Sequence, residues 1–294
     1  MLRDAGTNVQ PAARQNHRSS RTSSHAMMIG VVLALVTLGA PSCDPATQET
    51  VTPVEVVPAT PTPSVESLTA RVLRRYPHDP GAFTQGLLWT EGSLYESTGQ
   101  YGQSTVRRVR LEDGRVLDER RLDRRFFGEG LARVNQDLIQ LTWREGVAIV
   151  SGVDNLRERR TMNYAGEGWG LCYDGESLVM SNGSSTLTFR DPDSMQIVRH
   201  VNVRLEGRAV SKLNELECVD GQIYANVWRR HEILRIDPTD GRVTGVIDAR
   251  GLLSEEESRS ADVLNGIAFR PDSKTFLVTG KYWPTLFEVE FVPR

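Results

Sequence analysis

The sequence predicts an all-β fold, a five-bladed β-propeller closed by its N-terminal strand, on three observations. From about residue 68 onward, short alternating runs such as LYES, LIQL, LVMS, QIYANV and TFLV are separated by Gly, Asp and Asn, with no sustained 3.6-residue period. One unit recurs five times: FTQGLLWTEGSLYEST, FGEGLARVNQDLIQLTW, EGWGLCYDGESLVMSNG, LNELECVDGQIYANVW and VLNGIAFRPDSKTFLVTGKYW. Its anchors, Gly86, Gly130, Gly170, Leu216 and Gly266, lie 44, 40, 46 and 50 residues apart, the range of propeller repeats. A β-sandwich shares such strand spacing but does not require the repeat.

Each unit opens with a hairpin, turning at Glu91-Gly92, Asn135-Gln136, Asp174-Gly175, Asp220-Gly221 and Pro271-Asp272. Two further runs follow, as in 104–110 with 115–122, 185–190 with 196–203, and 231–236 with 242–248, giving four strands per unit. The last unit has only Leu286 to Val292 before the chain stops, while residues 68–76 form a strand without a unit. Placing that strand outermost in the last blade pairs both chain ends and removes two exposed edges.

Three segments divide the chain. Residues 1–42 read as a signal segment: a polar, Arg-containing start, the 13-residue apolar run Met27 to Gly39, then small residues. As a helix that run rises only about 20 Å, too short for the roughly 30 Å hydrocarbon core. The stretch Ala40-Pro41-Ser42-Cys43 resembles a bacterial lipoprotein cleavage box, so Cys43 is either a lipid-bearing first residue or a spacer after ordinary cleavage. Both place the protein outside the cytoplasm, in the cell envelope or periplasm or secreted. Residues 43–66, rich in Pro, Thr and acidic residues, read as an extended tether, and 67–294 as the propeller domain.

Composition narrows the partners. A net charge of −3 provides no general attraction to nucleic acid, and contact with a membrane is expected only through Cys43. Three Cys without C-x-x-C, and five His without H-x-H or H-E-x-x-H, imply neither a metal site nor a cofactor. A monomer is the default. Recurrent Arg pairs at 107–108, 120–121, 124–125, 159–160 and 229–230 read as solvated charge.

In a propeller the residues just before the anchors gather at one end of the central channel. Here they are Gln85, Glu129, Trp169, Glu215 and Asn265, different in every unit, whereas the rows behind them are mostly apolar. The second strands end at the same face, at Glu96-Ser97-Thr98, Thr142-Trp143, Ser181-Asn182, Asn226-Val227-Trp228 and Thr279-Gly280-Lys281. One mouth therefore collects Trp143, Trp169, Trp228, carboxylates, Lys281 and the amides Gln85, Asn214 and Asn265, the makings of a small-ligand pocket. Glu215 and Glu217 either belong to it or hold Arg or backbone amides. Cys172 and Cys218, in a small apolar row, read as two buried free thiols.

From about 70 to 294 the segments FTQGL, STGQYGQSTVR, FGEGL, QLTW, EGWGL, LNELE and TGKYWP appear in an order that closely resembles the plant and bacterial type of glutaminyl-peptide cyclotransferase, a five-bladed propeller family. The resemblance implies cyclisation of an N-terminal glutamine to pyroglutamate with loss of ammonia, without a metal, on peptides or proteins that begin with glutamine. It gives Glu129 the role of acid/base, and matches the family's pocket to Phe83, Gln85, Trp143, Trp169, Asn214, Trp228 and Lys281. Lys281 or an amide such as Asn214 would then stabilise the oxyanion. Two other readings stay open: a noncatalytic propeller that binds peptides or glycans at this mouth, and a metal-dependent lactonase-like propeller that uses Glu129, Glu215 and Asn265 as ligands.

Overall fold

The computed structural model describes residues 64–294; the signal segment and the tether up to residue 63 lie outside the described residues. After β1 (Glu66–Pro77) come three four-stranded antiparallel meanders. The first holds β2 (Thr84–Thr90), β3 (Ser93–Thr98), β4 (Thr105–Val109) and β5 (Val116–Arg121). The second holds β6 (Gly128–Val134), β7 (Asp137–Thr142), β8 (Val147–Gly152) and β9 (Glu158–Asn163). The third holds β10 (Leu171–Tyr173), β11 (Leu178–Met180), β12 (Thr186–Arg190) and β13 (Ile197–Asn202).

A small hairpin, β14 (Arg204–Leu205) with β15 (Arg208–Ala209), precedes the remaining strands. These are β16 (Leu213–Val219), β17 (Gln222–Val227), β18 (Glu232–Ile236), β19 (Val243–Asp248), β20 (Leu264–Arg270), β21 (Thr275–Gly280) and β22 (Thr285–Pro293). The unequal repeat spacings have a local cause. The hairpin lies in the 46-residue interval, and a 3-10 turn at Glu257–Arg259 lies in the 50-residue interval.

β1 pairs antiparallel with β22, from Leu68 opposite Pro293 to Pro77 opposite Thr285. It also pairs in parallel with β19 over Glu66 to Thr69, which the repeat does not anticipate. Through this double pairing β16–β19 and β20–β22 share one eight-stranded sheet.

Apolar side chains are buried between successive strand groups. The first meander meets the second through Tyr95, Val106, Leu131 and Leu138, and the second meets the third through Ile139, Leu141, Leu171 and Met180. Phe189 and Leu187 pack on Leu216 and Ile223, and Ile233 and Ile247 pack on Ile267 and Phe287. Ala268, Leu277 and Leu286 then pack back on Leu87 and Leu94 of the first meander. Burying each large apolar side chain contributes roughly 1.5–3 kcal/mol.

The first strands of successive groups approach one another closely, and glycine permits it. A Cβ at Gly130 would stand 2.4 Å from Leu171 N, and one at Gly170 would stand 2.0 Å from Asn214 O. The same approach corrects the reading of the cysteines. Cys172 on β10 and Cys218 on β16 are joined as a disulfide with Cα atoms 5.5 Å apart, within the ordinary bridging range. Arg107 is a second correction. Instead of facing water it is buried, hydrogen-bonded to Glu96 and Asp79, while His78 Nε2 meets the other oxygen of Glu96 at 3.1 Å.

Candidate active site

Irregularities in the first strand of several groups aim the site residues. Register shifts interrupt β2 between Thr84 and Gly86, β6 between Gly128 and Leu131, β16 between Leu213 and Leu216, and β20 between Leu264 and Ile267. A bulge bends its strand and redirects side chains. The residues inside these shifts include Gln85, Glu129, Asn214, Glu215 and Asn265, while Trp169 stands just ahead of β10.

Backbone groups freed by the bulges find partners. Gly130 N donates to Trp169 O at 2.6 Å, and Gly266 N donates to Asn226 Oδ1 at 2.9 Å. Glu215 accepts from Leu87 N at 3.3 Å and Ile267 N at 2.8 Å, and Glu217 accepts from Phe269 N at 2.8 Å. Both carboxyls therefore hold backbone amides, not Arg. Burial raises Glu215 well above the ordinary carboxylate range and pushes Glu217 up to about 8.

One cavity of about 370 Å³ receives Glu129 and the seven residues matched to the family's pocket, whereas Asn265, expected at the same mouth, does not line it and instead donates to Thr84 O and Gln85 Oε1 behind it. Phe83 and Gln85 reach it from the first unit, Glu129 and Trp143 from the second, and Trp169 from the third. Asn214 and Trp228 flank the fourth, and Lys281 follows β21. A larger groove of about 660 Å³, beside Ser64, Arg204 and Arg242, holds none of them. The mixture of rings and a few polar groups makes the smaller cavity the candidate site.

Glu129 is 4% exposed and accepts a hydrogen bond from Gln85 Nε2 at 2.9 Å. Gln85 Oε1 in turn accepts from Asn265 Nδ2 at 3.3 Å, which fixes the amide's orientation. Burial holds the Glu129 carboxyl well above the ordinary carboxylate range; the positive charge of Lys281 opposes this, and Glu167 and Glu145 reinforce it. Lys281 is also buried, with Nζ 4.4 Å from the Phe83 ring centroid. Its pKa is lowered by burial, against the pull of Glu129 and Asp262. Burial thus makes the acid harder to ionise and the lysine easier to neutralise.

Aromatic contacts frame these groups. Phe83 meets Phe127 edge to face at 5.9 Å, Phe127 lies 5.5 Å from Trp143, and Trp169 meets Trp228 edge to face at 5.9 Å.

Phe127, Gln100 and Asp262 also line the cavity and were missed in the sequence. Phe127 had a signal, since it stands two residues before Glu129 as Phe83 stands two before Gln85. Gln100 and Asp262 lie in connecting segments, where the repeat carries no information. Among the described residues no group of three His, Cys, Asp or Glu side chains is placed to hold a metal ion.

An all-β chain that gathers a buried carboxyl, a buried lysine and three indoles around one small cavity has the residues of an acid–base pocket. Residues 46–291 match the family described as glutamine cyclotransferase, and the chain belongs to that family. It is similar to the glutaminyl-peptide cyclotransferase of Arabidopsis thaliana, at 42% identity over 225 residues, covering 74% of this chain and 70% of the relative. It is also similar to the crystal structure of Myxococcus xanthus glutaminyl cyclase, with a TM-score of 0.72 and 43% identity, covering 79% of this chain and 100% of that one.

Proposed function

We propose that this chain is a glutaminyl-peptide cyclotransferase, converting N-terminal glutamine of peptides or proteins to pyroglutamate and releasing ammonia. The observation that carries this reading is a buried carboxyl, Glu129, held by a neutral amide in a cavity lined by indoles and Lys281. Family membership and the names of both relatives support it.

The chemistry is acyl transfer within one residue. The α-amino nitrogen attacks the γ-carboxamide carbon, closing a five-membered lactam. Glu129 takes the proton from the attacking nitrogen and returns it to the departing one, so ammonia leaves neutral and the carboxylate is restored. Lys281 or the Asn214 amide donates to the oxyanion of the tetrahedral intermediate, a role worth roughly 2.7–4 kcal/mol in other enzymes. The cavity walls hold the side chain folded toward its own amine and exclude water, which would give glutamate instead. No step calls on a metal, and Glu215 spends both of its oxygens on the backbone N–H groups of Leu87 and Ile267.

The same proposal covers architecture and place. Residues 67–294 form one five-bladed propeller with β1 outermost in the last blade, a reading supported by the β1–β22 pairing and by the return of the core from β20–β22 to the first meander. Export to the envelope, with residues 1–42 as signal, 43–66 as tether and Cys43 as a lipid anchor, is supported by the disulfide, which persists in oxidising compartments.

The test is ammonia release and loss of one ammonia mass from a glutamine-initiated peptide, with a chelator present. Turnover that survives the chelator supports the reading. Tight binding without turnover by folded protein replaces it with a noncatalytic peptide-binding propeller, and loss of turnover on chelation moves it to a metal-dependent one.

A further inference from the structure

Glu167 does not line the cavity, yet it touches two residues that do. Its Oε2 accepts the indole N–H of Trp143 at 2.9 Å and that of Trp169 at 3.1 Å, while its Oε1 accepts from Arg144 Nε at 3.1 Å. The Arg144 guanidinium also lies 3.6 Å from the Trp143 ring centroid, covering one face of that indole. Trp143 ends one hairpin and Trp169 opens the next unit, so a single carboxylate oxygen fixes the angle between rings carried by different sheets. In the repeat Glu167 occupies the position of Phe83 and Phe127, two residues before the channel residue, where those two units place a ring in the cavity wall.

We propose that Glu167 is a positioning residue that locks Trp143 and Trp169 into the two walls between which the glutaminyl side chain and α-amine are held. This rests on reading the cavity as the glutaminyl site. Two features make the carboxylate suited to it. A charge-assisted acceptor is stronger than a neutral one, and one oxygen can serve both donors. Both indoles line the cavity, where they attract the α-ammonium before it loses its proton. Burial opposes the charge on Glu167, but hydrogen bonds from Trp169, Trp143 and Arg144 outweigh it and keep the group ionised.

Glu167 has a second effect that separates from the first. Its negative charge helps raise the Glu129 carboxyl, so replacing it with any neutral residue moves the acid limb of the rate profile to lower pH. Hydrogen bonding to the indoles, by contrast, is retained in part by glutamine, whose carbonyl oxygen can still accept.

The experiment compares wild type, Glu167→Ala and Glu167→Gln for KM, kcat, pH profile and tryptophan emission. We expect Glu167→Ala to raise KM about tenfold, because substrate binding must then order the two freed indoles, with a smaller change in kcat and a shifted emission maximum. Glu167→Gln should restore most of KM and emission, while the acid limb moves down in both variants. Wild-type KM and emission in Glu167→Ala would overturn the proposal, and so would a failure of Glu167→Gln to restore either. Should wild type itself release no ammonia, the cyclotransferase reading fails separately, and the clamp is then judged by emission and by binding of the glutamine-initiated peptide in the same three proteins.

Discussion

Gln85 donates to Glu129 across 2.9 Å with both side chains buried, so a neutral amide, not a cation, meets the carboxyl at the centre of the cavity. A cation at that distance would hold the group ionised, whereas an amide favours the carboxylate only moderately. The proton is left free to arrive and depart during turnover.

Gln85→Leu removes that donor while keeping the wall filled. The hydrogen bond to the ionised form is worth roughly 1.5–3 kcal/mol, so the Glu129 carboxyl should rise further and the acid limb should move up by about one to two pH units. An unmoved limb would show that the amide is only a spacer.

Glu129→Gln keeps the shape of the side chain and removes its proton chemistry. We expect turnover to fall by about 10²–10⁴ while peptide binding, read by tryptophan fluorescence, persists. Retained turnover would transfer the acid–base role to another group.

The pH profile should be a bell narrower than free side chains would give. Glu129 must be ionised to accept a proton, so rate is lost as pH falls through its raised pKa, above the ordinary value of about 4.3. Lys281 must be protonated to stabilise the oxyanion, so rate is lost as pH rises through its lowered pKa, below the ordinary value of about 10.4. In Lys281→Met the alkaline limb should vanish; its persistence would assign the oxyanion role to Asn214.

Replacing Cys172 and Cys218 together by serine should lower stability by about 2–4 kcal/mol in urea unfolding, since the bridge joins positions 46 residues apart. Neither cysteine lines the cavity, so kcat per folded molecule should not change.

The His78–Glu96–Arg107 cluster makes a different demand on pH. Burial opposes the charge of Glu96, but Arg107 and His78 outweigh it and hold its carboxyl well below the ordinary range. Its contribution to stability is therefore complete above the unfolded-state pKa and is lost as pH falls through the folded-state one. Glu96→Ala leaves Arg107 buried beside the remaining Asp79 alone and should cost about 3–5 kcal/mol, with the difference from wild type shrinking in acid.

The strands and the pocket were legible because both leave local marks. Alternation and turn residues repeat with the unit, and a row that differs in every unit stands out against apolar rows; of its members Gln85, Glu129 and Trp169 line the cavity, while Glu215 and Asn265 hold backbone amides and Gln85 instead. Contacts between separate strands leave weaker marks. The Cys172–Cys218 bridge depends on how near β10 comes to β16, which Gly170 signals only once its steric role is known. Arg107 reads as surface charge until Glu96, eleven positions away, is seen beneath it. Glu167 was visible as part of EGWG, but its two indole partners belong to separate repeat units.

The pairing of Glu66–Pro77 with Thr285–Pro293 also sets an order of events during synthesis. The three meanders draw each strand from its immediate neighbours and can assemble as they leave the ribosome. The seam cannot, because the strand that completes it is translated after all the others described. A nascent chain therefore waits with two sticky sheet margins. A stop codon just ahead of Thr285 would leave them open for good, producing chains that join one another edge to edge.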